Sequence, residues 1–239
     1  GVSTIALGIS DMTTSLKLQK LIFRRDILPK PANDDLNRAL SDVTDFCPPE
    51  LSINTVHDNH GNMAQIVVGD VHNSWRKASK FSNELAEVKL SRRADIAIVG
   101  AGGRGFDGTL YEAIPSLYAG LVATRTGGSI IFVAECPHGP GYEGFVKGIS
   151  SIDSEKDLQV FGETNFEFGM DRSRFFWRVL ESRKLIICSR LRESLVSEKL
   201  HAMAVRDPQE GLEIAVKKYG TQSKIIIIEN GSNLIPVLE

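Results

Sequence analysis

The chain has 239 residues, a formal net charge of −2 (28 Lys and Arg against 30 Asp and Glu) and a hydrophobic fraction of 42%. This is the composition of a globular protein, and a nearly neutral chain argues against nucleic acid or an anionic membrane as the main partner. We see no signal peptide, no apolar run near the roughly 20 residues of a membrane span and only three widely spaced cysteines, so we expect a cytoplasmic protein without disulfides.

Residues 1–46 have the pattern of a mostly helical linker. A first helix is predicted over residues 12–21, and the prolines of 29–31 interrupt it. A second helix follows the possible cap of Asn33, Asp34 and Asp35, because the next apolar residues repeat with the spacing of one helix face. The chain begins at Gly1 without an initiator Met, so we expect a preceding part to have been removed.

A β-hairpin and a helix are predicted next. Residues 51–56 and 64–68 are rich in β-branched residues, and the polar segment between them is typical of a hairpin turn. His57 and His60 in this turn have the spacing of some zinc ligands, but no further ligand is evident, so we interpret them as part of a solvated turn. A helix is predicted over 72–87, with Trp75, Ala78, Ser82 and Leu85 along one face.

From residue 93 onward, strands alternate with helices. Four buried strands are predicted at 96–99, 129–134, 185–188 and 224–228. Residues 110–123 are predicted to be mostly helical, and helices are predicted at 172–183 and 207–219. Helix or loop is predicted at 142–150 and 153–159, and a loop from 230 onward. This alternation predicts an α/β fold, a parallel sheet with helices on both faces, preceded by the β-hairpin and the mostly helical linker segment.

The loop after the first of these strands contains five glycines, at positions 100, 102, 103, 105 and 108. Gly100, Gly102 and Gly105 match G-x-G-x-x-G, but a dinucleotide fold needs a helix at once and an acidic residue about 20 positions further on. Phe106-Asp107-Gly108 delays the helix here. Two interpretations of this glycine loop stay open: its backbone could approach an anion, or the glycines could be needed for tight packing of the turn.

The loop after the second strand, E-C-P-H-G-P-G-Y at 135–142, is expected beside the glycine loop. Glu135 and His138 could act there as an acid and a base. Cys136 with His138 could instead form a thiol nucleophile, although residues two apart on an extended chain do not touch. The alternative is a loop stiffened by proline and glycine in which both side chains make structural hydrogen bonds.

Several separate stretches resemble the C-terminal domain of the nickel-dependent lactate racemase family. They are A-D-I-A-I-V-G-A-G-G at 94–103, G-G-S-I-I-F-V-A-E-C-P-H-G-P-G at 127–141, F-F-W-R-V-L-E-S-R-K-L-I-I-C-S-R-L at 175–191 and D-P-Q-E-G-L-E-I-A at 207–215. The resemblance implies that residues 47–239 form the C-terminal α/β domain and that the linker of residues 1–46 follows a missing N-terminal domain, which would be the partner of this chain.

Members of that family racemise or epimerise 2-hydroxy acids at a cleft between the two domains. The resemblance implies a nickel-pincer nucleotide bound mainly by the absent N-terminal domain, so no metal ligand is expected in this fragment. It also implies substrate contacts from the helix after the glycine loop, in the pattern L-Y-Q-x-x-K. Here Leu110 and Tyr111 match, whereas Glu112 replaces the glutamine and Pro115 replaces the lysine.

The implied substrate-binding residues lie in this loop and helix: Gly102, Gly103, Asp107, Tyr111 and Glu112, with Glu135 and His138 as secondary candidates. A carboxylate at Glu112 and the lost lysine at Pro115 favour a neutral or cationic hydroxy compound as the small-molecule substrate. We therefore expect an isomerase that is active only as part of a full-length protein. A non-catalytic ligand-binding or regulatory module and a nucleotide-binding α/β domain are the alternatives.

Overall fold

The computed structural model describes residues 8, 10–25, 34–58 and 60–239. It divides into two compact units, Gly1–Glu87 and Val88–Glu239. The predicted cap at Asn33 and the predicted break at 29–31 lie outside the described residues. The predicted boundary between the linker and the C-terminal domain, after residue 46, stays a prediction. The hairpin, which we assigned to the C-terminal domain, lies in the first unit.

The described residues of the first unit form three helices and the predicted β-hairpin. In chain order its elements are α1 (Met12–Arg25), α2 (Asp34–Asp45), β1 (Ser52–His57), β2 (Met63–Gly69) and α3 (Val71–Ala86). β1 and β2 pair antiparallel, with Ile53 opposite Val68. In the turn between them, the Asp58 carboxylate accepts hydrogen bonds from the backbone N–H groups of His60 and Asn62, both at 2.8 Å.

The core of the first unit lies between its helices, where Leu18, Leu40 and Val71 are buried together. On α3 the buried residues are Val71, Ser74 and Ala78, and the partly buried Trp75 packs against the core. The predicted face is therefore confirmed at Trp75 and Ala78, whereas Ser82 and Leu85 are exposed because the buried face begins at Val71, nearer the start of the helix. Ser74 is buried through a hydrogen bond from the Asn54 amide at 3.0 Å, so a polar pair occupies the interface.

The second unit contains the parallel sheet. Its strands are β3 (Glu87–Leu90, at the boundary of the units), β4 (Ala94–Gly100), β5 (Thr124–Val133), β6 (Lys184–Cys188), β7 (Met203–Val205), β8 (Ile225–Ile228) and β9 (Ile235–Leu238). Its helices are α4 (Leu110–Ala113), α5 (Leu117–Ala123), α6 (Glu143–Ser150), α7 (Glu155–Asn165), α8 (Met170–Ser182) and α9 (Pro208–Tyr219). A 3₁₀ turn occupies Ile114–Ser116 and a π-helical turn Leu195–Lys199.

The main sheet has five parallel strands in the order β7-β6-β5-β4-β8. Helices cover both faces. A Cβ at Gly120 of α5 would lie 3.2 Å from the Ile130 side chain, and one at Gly211 of α9 would lie 3.0 Å from that of Ile131. Because neighbouring residues of a strand point to opposite faces, α5 and α9 lie on opposite sides. The predicted fold class is confirmed.

Some elements differ from the prediction. β7 has only three residues, too few to show a periodicity, and the tail predicted as a loop contains β9. β9 includes Pro236, which argues against a strand in sequence, but β9 pairs only with β3 and needs fewer donors than a central strand. Residues 110–123, predicted to be mostly helical, form α4 and α5, which are separated by the 3₁₀ turn Ile114–Ser116 that contains Pro115.

The strand order indicates where a ligand crevice belongs. β5, β6 and β7 are added on one side of β4, and β8 returns to its other side. In open parallel sheets, ligands bind beyond the carboxyl ends of the strands. The loops after β4, β5 and β6 are therefore the candidate site of this unit.

Candidate functional site

The loops after β4 and β5 lie side by side and are joined by hydrogen bonds. The backbone N–H of Cys136 donates to the Asp107 carbonyl and that of His138 to the Gly108 carbonyl, both at 2.9 Å. The buried Asp107 carboxylate accepts from the Glu135 N–H at 3.0 Å. Asp107 therefore fixes the two loops to each other, and its predicted contact with a substrate stays a prediction.

Gly102 and Gly103 of the glycine loop have different surroundings. Both have positive φ, +106° and +73°. A Cβ at Gly102 would lie 2.5 Å from the amide oxygen of Asn230, whereas one at Gly103 would meet no atom within 4 Å. That Asn230 oxygen is buried, and the part of the chain that the structure describes offers it no hydrogen-bond partner. Gly102 is needed for packing, and the backbone at Gly103 borders open space.

The glycine loop lacks the geometry of a dinucleotide site. After Gly105 the chain makes a further turn, and α4 begins only at Leu110 and ends at Ala113. A pyrophosphate needs a helix N-terminus directly after the glycines. The structure therefore gives the nucleotide alternative no support.

Gly102→Ala is expected to lower the free energy of unfolding by about 2–3 kcal/mol, because it adds a clash to an unfavourable φ. Gly103→Ala is the matched control: it carries only the cost of positive φ, about 1 kcal/mol. Urea unfolding monitored by tryptophan fluorescence measures both values. Equal losses in the two variants would contradict the packing role of Gly102.

Tyr111 is buried and its contacts are structural. Its phenol donates to a carboxylate oxygen of Asp171 at 3.1 Å, and the Arg172 guanidinium lies 4.0 Å from its ring centroid. Tyr142 and Phe145 pack edge-on against the ring, at 4.8 and 5.8 Å between centroids. Burial, reinforced by the Asp171 charge, raises the pKa of Tyr111 well above its usual value, so the phenol remains a neutral donor.

Sequence reasoning missed Asp171 and Arg172, which hold Tyr111 in place. Arg172 also donates a short hydrogen bond to the Tyr111 carbonyl. Both residues lie in the first turn of α8, which begins after Gly169 in a left-handed conformation. An adjacent acid and base at a helix start is a weak signal, since such pairs are also common on solvated helix ends. The predicted ligand role of Tyr111 stays a prediction.

Asp171→Asn is expected to change the pH dependence of stability. Burial raises the pKa of Asp171, against the lowering effects of Arg172 and Tyr111. The contribution of Asp171 to the free energy of unfolding is therefore fully present below its ordinary pKa of 3.8. It is lost as the pH rises through the higher pKa of the folded state. Relative to Asp171→Asn, the wild-type free energy of unfolding should fall with pH, by at most about 1.4 kcal/mol per unit. Urea titrations of both proteins between about pH 4 and 7 measure this. A wild-type free energy of unfolding that rises with pH relative to that of Asp171→Asn would contradict the prediction.

Glu112 closes a capping box at the start of α4. One of its carboxylate oxygens accepts from the Thr109 N–H at 2.9 Å and the Thr109 hydroxyl at 3.0 Å, and the Glu112 N–H donates back to that hydroxyl. The T-x-x-E pattern of Thr109 and Glu112 is the sequence signal for this role. Glu112 remains exposed and lies three residues from Pro115, so a carboxylate is present and the position of the family's lysine carries no cation.

Glu135 and His138 are not brought together as an acid–base pair. The Glu135 carboxylate forms an ion pair with Arg190 at 2.7 Å, after β6. The exposed His138 imidazole lies toward Gly108, where its Cδ2 would be 3.6 Å from an added Cβ. Within the described part of the chain, no hydrogen bond joins the side chains of Glu135 and His138. Both remain candidate contacts to a ligand.

Cys136 does not have the properties of a nucleophile. It is buried, and its backbone has φ of +52°, a left-handed conformation that is uncommon outside glycine. Burial, with the nearby carboxylates of Asp107, Glu112 and Glu135, raises its pKa to about 12. The thiol is therefore protonated at neutral pH, and thiolate chemistry is not available.

The described residues contain no group of three or more His, Cys, Asp and Glu side chains that could hold a metal ion, and no helix long and apolar enough to cross a membrane. The three cysteines are free. His57 and His60 lie in the hairpin turn described above. The described residues therefore do not fit a nickel site of their own.

The family model for the lactate racemase C-terminal domain matches residues 89–236. The chain therefore belongs to the lactate racemase family. The match covers the whole parallel sheet and both loops of the candidate site. The resemblance drawn from the sequence stretches is confirmed, including its assignment to the C-terminal domain.

Curated lactate racemases share this similarity over most of the chain. Those of Thermoanaerobacterium thermosaccharolyticum and Lactiplantibacillus plantarum are each 27% identical over 187 residues, which is 77% of this chain and 44% of theirs. The chain thus spans less than half the length of these relatives. The match alone therefore does not show racemase activity or the partners of the whole protein.

Two solved structures show the same fold. The lactate racemase apoprotein of T. thermosaccharolyticum matches with a TM-score of 0.79 at 23% identity, over 92% of this chain and 55% of that one. A Thermotoga maritima protein matches with a TM-score of 0.59 at 12% identity, over 87% and 54% of the two chains. At these identities the likeness concerns the fold alone.

Proposed function

We propose that the chain is the C-terminal part of an isomerase, a racemase or epimerase, that acts on a small polar hydroxy compound. The observation that carries the proposal is the family match across the unit in which the loops after β4 and β5 form the carboxyl-terminal end of the sheet. The curated relatives are lactate racemases. The substrate would contact the exposed surface around Gly103, Glu112 and Pro115.

The Glu112 carboxylate and the loss of the lysine at Pro115 favour a neutral or cationic substrate over a simple carboxylate. Glu112 is exposed and its carboxylate is held at the helix start by Thr109. A second carboxylate nearby would be repelled, and Pro115 provides neither a charge nor a donor to compensate. An amide, hydroxyl or ammonium group could instead donate a hydrogen bond to Glu112.

The cleft would be completed by an N-terminal domain, for which the first unit provides a docking surface. One face of the hairpin packs on α3, whereas Ile53, Ile66 and Val68 on the other face are 63%, 54% and 55% exposed. A two-stranded hairpin with an exposed apolar face is only marginally stable alone. The relatives are more than twice as long as the region matched here, which supports their N-terminal domain as the occupant.

Ile66→Lys tests this surface. In the isolated chain the substitution should change the free energy of unfolding by less than about 0.5 kcal/mol, because the side chain is exposed. In the full-length protein it should cost about 2–3 kcal/mol, because it would place a charge in a buried apolar interface. Exposed Val160 of α7 (68% exposed) provides the control, and Val160→Lys should have a small effect in both. An equal effect of Ile66→Lys in the two proteins would contradict the proposed interface.

The nickel-pincer nucleotide of the family would be held by the N-terminal domain. The part of the chain that the structure describes has no group of three or more His, Cys, Asp and Glu side chains that could hold a metal ion, so no chemical step through nickel is assigned to it. Its own contribution would be to bind and orient the substrate through the loop surface. The dependence of the whole protein on nickel is part of the proposal.

The alternative is a non-catalytic ligand-binding or regulatory module on the same fold. It is favoured by Tyr111, which is buried against Asp171, and by the loss of the family's lysine at Pro115. The full-length protein, purified with the nickel-pincer cofactor, would be incubated with hydroxy compounds and analysed by chiral chromatography. Formation of the opposite stereoisomer supports the isomerase. Thermal stabilisation by a compound without any product supports the module.

A further inference from the structure

A second cleft lies on the other side of the loop after β5, between that loop and the segment that follows β6. One wall is formed by Cys136, Pro137, Gly139 and Pro140, and the other by side chains from residues 190–199. Its volume is about 490 Å³, within the roughly 300–1,000 Å³ of clefts that bind small organic molecules. The glycine loop and the first turn of α4 do not line it.

The charged lining of this cleft is predominantly basic. Arg190, Arg192 and Lys199 contribute cations, and Arg190 is already paired with Glu135. In the part of the chain that the structure describes, no carboxylate forms an ion pair with Arg192 or Lys199, and Glu198 is the one acidic residue of the lining. Two exposed cations at one cleft attract an anion, and an arginine can bind a carboxylate through two parallel hydrogen bonds.

The remaining lining is largely apolar. Leu191 and Leu195 face the cleft from the segment after β6, and Pro137 and Pro140 face it from the loop after β5. The Ser194 hydroxyl adds a donor and acceptor. Such a lining suits an organic molecule with an apolar body and an anionic end better than an inorganic anion, which would leave the apolar wall in contact with water.

The backbone around the cleft has an unusual conformation. Leu195–Lys199 forms a π-helical turn, closed by the Leu200 N–H donating to the Leu195 carbonyl at 3.0 Å. His201, directly after it, and Cys136 on the opposite wall both have φ of +52°. π-helical turns and left-handed non-glycine residues are concentrated at functional sites. Here the π-helical turn and Cys136 lie on the two sides of one cleft.

We propose that this cleft binds an organic carboxylate, with Arg192 and Lys199 holding the carboxylate and Pro137, Leu191 and Leu195 contacting its apolar body. The site is separate from the surface around Glu112, and the proposal does not depend on the isomerase function. A ligand of this class could be a second metabolite that regulates the protein.

The test uses the ¹⁵N-labelled chain, with benzoate as the probe and inorganic phosphate as a second probe. Titration with benzoate should give saturable chemical-shift changes in the backbone N–H signals of Cys136, His138, Gly139 and residues 190–199. Phosphate should bind at least about tenfold more weakly, because it lacks the apolar body. Shifts confined to other regions, an unsaturable response or equal binding of the two probes would overturn the proposal.

A pair of variants assigns the cations. Arg192→Gln/Lys199→Gln should weaken benzoate binding at least about tenfold, because it removes both charges. Arg206→Gln/Lys217→Gln changes the net charge equally at two exposed residues outside the cleft and should leave binding unchanged. All four side chains are exposed, so the spectra of both variants should remain folded. Equal weakening in both pairs would mean general charge attraction and would overturn the site.

Discussion

Tyr111→Ala should lower the free energy of unfolding of the second unit by about 4 kcal/mol. The substitution removes a large buried aromatic side chain, a change that usually costs about 3–5 kcal/mol. It also leaves the buried Asp171 carboxylate without the phenol that donates to it. Tyr111→Phe keeps the ring and removes only the hydroxyl, so it should cost about 1–3 kcal/mol.

Tryptophan fluorescence can follow this effect in the second unit alone. The protein has two tryptophans, Trp75 in α3 and the buried Trp177 in α8. In a Trp75→Phe background, urea unfolding reports on Trp177, whose indole donates to the Gly148 carbonyl. Tyr118→Phe is the matched control, because the half-buried Tyr118 phenol has no hydrogen-bond partner among the described residues. A loss below about 1 kcal/mol for Tyr111→Ala would contradict the structural role of this residue.

Glu112→Gln/Pro115→Lys should give the full-length protein the ability to racemise lactate, or raise that rate at least about tenfold. The double substitution restores the family pattern, removes a charge that repels the substrate carboxylate and adds one that attracts it. A gain of about 1.4 kcal/mol in transition-state binding corresponds to that tenfold change. Glutamine can replace glutamate in the capping box, so the start of α4 should be preserved.

The effect of the added cation can be separated from the effect of the lost proline. Glu112→Gln/Pro115→Ala neutralises the same carboxylate and removes the same ring, but adds no charge. It should raise lactate turnover less than the lysine variant does. Equal rates in the two double variants would show that the missing cation at position 115 does not decide the substrate.

The sheet could be predicted because its signal is local. The four apolar runs ending near Val99, Ala134, Cys188 and Ile228 are each long enough to indicate a buried strand, and the five-stranded sheet contains all four. β7 was missed because three residues show no periodicity. β9 was missed because Pro236 argues against a strand unless its pairing with β3 is known.

The candidate site was less predictable because its residues act through contacts distant in sequence. The alternation of strands and helices indicated that the loops after β4 and β5 are neighbours. That Asp107 binds a backbone N–H of the other loop, and that Tyr111 is buried by Asp171 sixty residues later, required the structure. For Glu112 the sequence does contain the structural signal, because Thr109 and Glu112 have the spacing of a capping box. That spacing predicts a helix cap as well as it predicts a substrate contact.

We propose that this domain belongs to an isomerase of neutral or cationic hydroxy compounds. Lactamide and lactate give the most direct comparison, because they have nearly the same size and differ in charge. Single enantiomers of each, incubated with the cofactor-loaded full-length protein, can be followed by chiral chromatography. We expect lactamide to be converted to its mirror image at least about tenfold faster than lactate. Faster conversion of lactate, or no conversion of either compound, would contradict it.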